Sequence, residues 1–175
     1  MTTSVPSSVQ SDVSAKITVT SREFLDACRL FTHEEFNKVP FAGSWTPGQV
    51  AEHVYKSVSG MPSIMKGNVA DTSRDPAAKV AELETIFLDF STKLKSPDFI
   101  LPSDKKHDQQ EMINALSASF DQIIEIAETE DLSLTCLDFQ FPNSGPLTRL
   151  ELISFAHVHT KRHAHQLSKI KSALG

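Results

Sequence analysis

The sequence contains few cysteines and no long apolar segment. Its two cysteines, Cys28 and Cys136, form neither a C-x-x-C motif nor a disulfide framework. We therefore expect two reduced thiols in a cytoplasmic protein. No apolar run approaches the roughly 20 residues that a membrane-spanning helix requires, so we do not expect a membrane partner.

The chain also lacks an excess of basic residues. Its 17 Lys and Arg residues stand against 22 Asp and Glu residues, which gives a formal net charge of −5. Proteins that bind DNA or RNA usually present a basic face that neutralises phosphates. Because the sequence has no Lys- or Arg-rich run, we do not expect a nucleic-acid partner.

The first residues lack the features of a signal peptide. The stretch MTTSVPSSVQSDVSA has neither a basic segment nor an apolar one. It is rich in Ser, Thr and Val, and we predict that residues 1–16 form a disordered tail. The remaining residues, 17–175, have a length that suits a single helical-bundle domain.

Apolar residues recur at helical spacing along most of the chain. The second helix has the clearest start, because Thr46, Pro47 and Gln49 match a capping box with proline at the first helical position. We expect Gly60 and Pro62 to bend its second half. Helices are predicted over residues 21–39, 47–66, 75–95, 107–131 and 146–174, with an irregular connector at 132–145. The strand–helix alternation of a doubly wound sheet is missing, so we predict an all-α bundle.

Four of the seven histidines lie in the short stretch SFAHVHTKRHAHQLSKI, residues 154–170. His159 and His163 are four residues apart, so they lie on one helix face, one turn above the other. Apolar residues continue this face on both sides, which places the pair inside the bundle. The same i, i+4 spacing is used by helical zinc sites. His157 and His165 lie about 200° round the helix, and we interpret them as flanking or surface residues.

A metal site needs at least a third ligand, and the best candidate is His53 in the second helix. It follows Val50 at helical spacing and should therefore point into the bundle. A buried histidine that is only hydrogen-bonded is the alternative interpretation. His33 and His107 are less attractive, because His33 lies in a polar turn of the first helix and we expect His107, at a helix start, to be solvated. Three neutral imidazoles with open coordination positions would hold a divalent transition metal such as Zn, Ni or Fe.

Several other residues near these segments allow two interpretations. Glu52 and Glu151 could serve as a general base, but Glu52 is expected to be a solvated helix residue and Glu151 is ambiguous. Trp45 fits a hydrophobic staple before the second helix. Phe139 and Phe141 could line a pocket or cover the core, and we favour the core.

Two segments resemble the signature motifs of the DinB-like superfamily of four-helix bundle proteins. They are SWTPGQVAEHV (44–54) and HTKRHAHQL (159–167). The matching residues are Trp45, Thr46, Pro47, His53, His159, His163, Gln166 and Leu167. Relatives often have His-His-Arg-Gly-Gln at the last motif, whereas this chain has His163-Ala164-His165-Gln166, so the substrate contacts are expected to differ.

The resemblance implies a DinB-like four-helix bundle with a long crossover that carries an additional helix. It also implies a divalent metal, commonly nickel, zinc or iron, held by His53, His159 and His163, and a homodimer. Some members of the family transfer low-molecular-weight thiols such as bacillithiol or mycothiol, and others are described as metal-dependent hydrolases.

Three hypotheses about function follow. The first is a metal-dependent enzyme, a hydrolase or a thiol transferase, that acts on a small molecule such as a thiol. The second is a stress-related binding module in which the metal is vestigial or structural. The third is a homodimeric helical bundle without metal, in which the histidines form a buried hydrogen-bonded cluster.

Overall fold

A computed structural model of the chain describes residues 4–175. In chain order the elements are α1 (Ser7–Arg29), α2 (His33–Phe36), α3 (Pro47–Val58), α4 (Met61–Lys66), β1 (Val69–Ala70), α5 (Val80–Phe87), a 3-10 turn (Asp98–Ile100), α6 (Gln109–Thr129), β2 (Thr135–Cys136) and α7 (Arg149–Leu174). The fold is therefore all-α, as predicted. None of the helices in the described part is long and apolar enough to cross a membrane.

Four long segments form the bundle. The helix α1 packs against α6 and α7, and α3 also packs against α6 and α7, while α4 continues α3 along α6. Their apolar faces enclose one core. The crossover from α4 to α6 carries α5, which packs on the outside of α7. This arrangement confirms the predicted four-helix bundle with an additional helix in the crossover.

The first helix begins much earlier than the sequence predicted. The helix α1 starts at Ser7, so residues 7–16 are helical rather than part of a disordered tail. Val13 and Ile17 are buried in the core, and their burial stabilises the added turns. Of the predicted tail, residues 1–3 lie outside the described part of the chain.

The predicted helix 21–39 also ends early and is followed by a separate short helix. Thr32 adopts an extended conformation and forms a capping box with Glu35, which starts α2. The hydroxyl of Thr32 accepts the Glu35 amide at 3.1 Å, and the Glu35 carboxylate accepts the Thr32 amide at 2.7 Å. These local bonds compete with a continuous helix.

The second predicted helix is broken where its sequence suggested a bend. The helix α3 starts with the expected capping box of Thr46 and Gln49 and ends at Val58. Pro62, at the second position of α4, has no amide hydrogen to continue the helical ladder. The helix α3 therefore ends at Val58, and α4 begins three residues later at Met61.

The crossover is less helical than predicted. The helix α5 covers only eight residues, Val80–Phe87, within the predicted 75–95. After it, the Asp89 carboxylate accepts hydrogen bonds from Ser91 and Thr92, which favour a turn. The predicted irregular connector contains an extended piece, because β2 pairs with β1 in an antiparallel register of Val69 with Cys136.

Candidate metal centre

Three histidines from two helices meet at one buried point. The helix α3 supplies His53, and α7 supplies His159 and His163. The Nε2 atom of His159 lies 3.0 Å from Nε2 of His53 and 3.2 Å from Nε2 of His163. Each of the three histidines offers one ring nitrogen as a possible metal ligand, and these three nitrogens all lie within 4.8 Å of one another. The structure therefore brings together the three residues that the sequence predicted.

The outer nitrogens of two of these rings fix their orientation. The Nδ1 of His53 donates to the carbonyl oxygen of Ile100 at 2.9 Å. The Nδ1 of His163 donates to Oε1 of Gln166 at 2.7 Å. With the proton on Nδ1, each ring presents the lone pair of Nε2 to the centre of the cluster. An acceptor behind each ligating histidine is typical of metal sites.

The third histidine of the cluster, His159, lies between two aromatic rings. Its ring stacks on Phe155 at 5.0 Å between centroids and meets the edge of Phe87 at 5.8 Å. Its buried Nδ1 has no hydrogen-bond partner among residues 4–175. A proton on its Nε2 can point directly at only one of the two neighbouring lone pairs. Without a cation, the cluster therefore leaves buried polar atoms incompletely satisfied.

Burial keeps all three imidazoles neutral at neutral pH. Burial lowers the pKa of His53, and the hydrogen bond to the Ile100 carbonyl offsets this only in part. The pKa of His159 is lowered well below its usual value by burial and by the two adjacent rings. Burial lowers the pKa of His163 to about 3. Neutral imidazole is the form that binds metals.

The cluster forms part of the wall of a cavity of about 540 Å³, which we call the chamber. Other walls are supplied by α4, α5 and residues 94–100 of the crossover, together with residues 139–144 of the connector. Phe139 and Phe141 lie here, half-buried in the chamber wall. Phe141 also packs against the core, as predicted, whereas Phe139 lines the chamber. Their apolar character alone could not distinguish the two environments.

Neither candidate carboxylate belongs to the cluster. Glu52 is not solvated as predicted, because its carboxylate accepts the Ser103 amide at 2.6 Å and Nε2 of His107 at 2.8 Å. Although burial raises the pKa of Glu52, these hydrogen bonds outweigh it and hold the pKa at about 2. His107 is correspondingly buried, in contrast to the prediction that it is solvated.

Glu151 has a structural role. Its fully buried carboxylate forms two hydrogen bonds with Arg74, at 2.6 and 2.7 Å, and accepts the Lys79 amide at 2.9 Å. It also completes the capping box of α7 with Thr148. A carboxylate with these partners holds the crossover against α7 and is not available as a base.

The remaining predicted residues have mixed outcomes. His157 is buried, and its Nδ1 lies 2.8 Å from Oγ1 of Thr20 in α1, so its interpretation as a flanking or surface residue was wrong. His165 is half-buried and stacks on Phe90 at 4.3 Å between centroids. Trp45 packs near its helix, with its ring centroid 5.0 Å from that of His53.

Sequence reasoning did not assign a role to Ile100 or to Arg162. The Ile100 carbonyl orients His53, but a backbone oxygen leaves no signal in the sequence. Arg162 donates to the carbonyl oxygens of Phe87 and Asp89, and thereby holds the end of α5 beside the cluster. Its position next to His163 in the sequence was the only available indication.

Comparison with known proteins agrees with this fold. Residues 16–167 match the family model of the DinB superfamily. The crystal structure of a protein assigned to the DinB family, from Exiguobacterium sibiricum 255-15, has a similar fold with a TM-score of 0.59 and 17% sequence identity. The similarity covers 95% of this chain and 92% of that one. The sequence has no significant match among curated proteins.

Proposed function

Because the chain belongs to the DinB superfamily, we propose that it is a metal-dependent enzyme with its metal ligands at His53, His159 and His163. The observation that carries the proposal is the convergence of the three Nε2 atoms at one buried point. The acceptors behind His53 and His163 hold two of these lone pairs in the ligating orientation.

The donor set suits a divalent transition metal. Imidazole nitrogen is a ligand for zinc, nickel and iron, and three such ligands leave further coordination positions open. The single shareable proton among the three Nε2 atoms fits a cluster completed by a cation. When bound, such an ion supplies Lewis-acid catalysis, polarising a substrate oxygen or favouring the deprotonated form of a nucleophile.

Of the two reactions, hydrolysis and thiol transfer, the residues around the histidine cluster favour thiol transfer. Glu52 and Glu151 are engaged elsewhere, and within the described residues the exposed Glu82 is the one carboxylate in the chamber wall. Activation of water usually requires a positioned general base. A thiol has a pKa near 8.5 and forms its anion without such a base.

A transfer assay with a defined electrophile tests this function. The metal-loaded protein is mixed with 1-chloro-2,4-dinitrobenzene and a series of low-molecular-weight thiols. The thiol sulfur bonds to the ring carbon, chloride leaves with its bonding electrons, and the thiol proton goes to solvent. We expect turnover that His53→Ala lowers by about 100-fold or more, while the exposed-histidine control His33→Ala retains it.

Three outcomes of this assay contradict thiol transfer. Equal rates for wild type and His53→Ala would assign the reaction to another part of the protein. Absence of turnover with every thiol, together with metal-dependent cleavage of ester or amide substrates, would favour a hydrolase instead. Absence of both activities in a metal-loaded protein would favour the non-catalytic binding module.

We also propose that the protein is a homodimer, as the family resemblance suggests. Ten large apolar side chains are exposed on the described part of the chain, among them Leu30, Val39 and Phe41. A second copy could cover some of these residues. Sedimentation velocity over a range of protein concentrations tests this proposal, and a single monomeric species throughout would contradict it.

A further inference from the structure

A continuous series of aromatic side chains connects the histidine cluster to the protein surface through the chamber wall. Phe155, beside His159, meets Phe141 at 4.9 Å between centroids, and Phe141 meets Phe139 at 6.5 Å. Phe139 in turn meets Phe99 at 6.3 Å. With Phe87, five of the eleven phenylalanines in the chain lie in this wall. Such edge-to-face arrays offer large apolar contact areas.

Most charged groups in the wall are already engaged by the protein. Lys56 donates to the Leu101 carbonyl at 2.6 Å, and Lys79 donates to the carbonyl of Ser144. Arg162 is bound to carbonyls at the end of α5. A ligand with many hydroxyl, amide or charged groups would therefore leave much of its polarity unpaired against apolar walls.

The rim of the chamber exposes apolar surface to solvent. Phe99 is 62% exposed and Ile86 is 41% exposed, and both belong to the chamber wall. The buried part of the wall includes Met61, Leu83 and Phe155, which line the same cavity as the histidines. A volume of about 540 Å³ lies within the usual range of small-molecule sites.

We propose that the chamber binds the apolar substrate of this site, an aromatic or branched-alkyl compound with one small reactive group directed at the histidine cluster. This substrate class rests on the function proposed above, as the acceptor of the transferred thiol. The hydrocarbon body contacts the phenylalanine series, and the reactive group reaches the cluster, which is the main polar feature of the buried wall.

Binding of N-phenyl-1-naphthylamine, a neutral fluorescent probe, tests the proposal on metal-free protein. We expect saturable binding with enhanced, blue-shifted emission, because the probe leaves water for an apolar site. Ser57 is a small residue in the chamber wall, and Ser57→Phe should fill part of the volume and weaken binding by about tenfold. The control Ser59→Phe, two residues further along and outside the wall, should bind as the wild type does.

A second variant covers a failure of Ser57→Phe to fold, which circular dichroism would reveal. Phe99→Ser changes an exposed side chain, and it should weaken probe binding with little effect on stability. Octanol should displace the probe, and reduced glutathione at the same concentration should not. The proposal would be overturned if glutathione displaced the probe and octanol did not, or if the probe did not bind saturably. Equal probe binding by the wild type and all folded variants would also overturn it.

The test separates this inference from the proposed function. Probe binding to metal-free protein does not depend on metal binding or turnover, so an active enzyme that excludes the probe would contradict only the substrate class. Sedimentation velocity on the same samples identifies a competing occupant. A concentration-dependent dimer that excludes the probe would assign the rim to a second copy of the chain and overturn the proposal.

Discussion

At the scale of single residues, hydrogen-bond acceptors orient two of the three imidazoles in the cluster. The Ile100 carbonyl is part of the backbone, so it holds His53 through the path of the crossover. Gln166 holds His163 through its side chain and can be replaced without changing the backbone. Mutation of Gln166 can therefore test directly whether the orientation of the His163 ring matters for binding.

Replacing Gln166 with Leu should lower metal affinity by about 10- to 100-fold, because the His163 ring loses its acceptor and its fixed orientation. Gln166→Glu retains an acceptor and should bind more tightly than Gln166→Leu. Trp45, the single tryptophan, lies beside His53 and reports binding when Ni²⁺ or Co²⁺ quenches its fluorescence. Equal affinity in wild type and Gln166→Leu would show that this bond does not position the ligand.

The two thiols should be inert in the folded protein. Burial raises the pKa of Cys28 to about 12 and that of Cys136 to about 11. Thiolate is the reactive form, so we expect no reaction of native protein with 5,5′-dithiobis(2-nitrobenzoic acid) at pH 8 and release of two equivalents of chromophore after denaturation. Rapid reaction of the native protein would contradict the described burial of these side chains.

The sequence predicted the three-histidine cluster because its signals are local or shared with a known family. The four-residue spacing of His159 and His163 is a property of one helix, and the motif around His53 resembles the corresponding family segment. His157 and His107 were misjudged because their partners, Thr20 and Glu52, are 137 and 55 residues away in the sequence. Neither the helical spacing nor the family motifs indicated these two contacts.

At the scale of secondary-structure elements, helix centres were predicted better than helix ends. The helices α6 and α7 agree with their predicted ranges to within a few residues, because their apolar periodicity is strong. The start of α1 was missed, since residues 7–16 are rich in Ser and contain few apolar positions. The burial of Val13 and Ile17 against other helices overrides this weak local preference.

The added length of α1 should contribute measurably to stability. Ile17 is fully buried, so Ile17→Ala should lower the free energy of unfolding by about 2–4 kcal/mol through lost apolar contact and a cavity. The matched control is Val19→Ala in the same helix, where the side chain is 52% exposed and the change should stay within about 0.5 kcal/mol. Urea denaturation followed by circular dichroism measures both values. Similar small effects would mean that this part of α1 does not pack in solution.

At the scale of the whole molecule, the candidate metal centre joins two helices that are far apart in the sequence. His53 and His159 are 106 residues apart, and the crossover between α4 and α6 supplies the Ile100 carbonyl. The same crossover carries α5, which closes the chamber over α7. The bundle was predictable from the periodicity, whereas the chamber depends on turns in the crossover that the sequence indicated only in part.

A metal held between α3 and α7 should stabilise the folded chain. A ligand that binds only the native state raises the free energy of unfolding by about 2.7 kcal/mol at a free concentration 100 times its dissociation constant. We therefore expect zinc to raise the urea midpoint of the wild type and to leave that of His53→Ala unchanged. An equal shift in both proteins would place the bound zinc elsewhere.

The most direct test of the central claim is the metal content of tag-free protein purified without chelator. Inductively coupled plasma mass spectrometry should find about one transition-metal ion per chain in the wild type and less than about 0.1 in His159→Ala, since each ligand of a three-histidine site is required for tight binding. His33→Ala removes an exposed histidine and should match the wild type. Equal metal content in His159→Ala and the wild type, or none in either, would contradict the account.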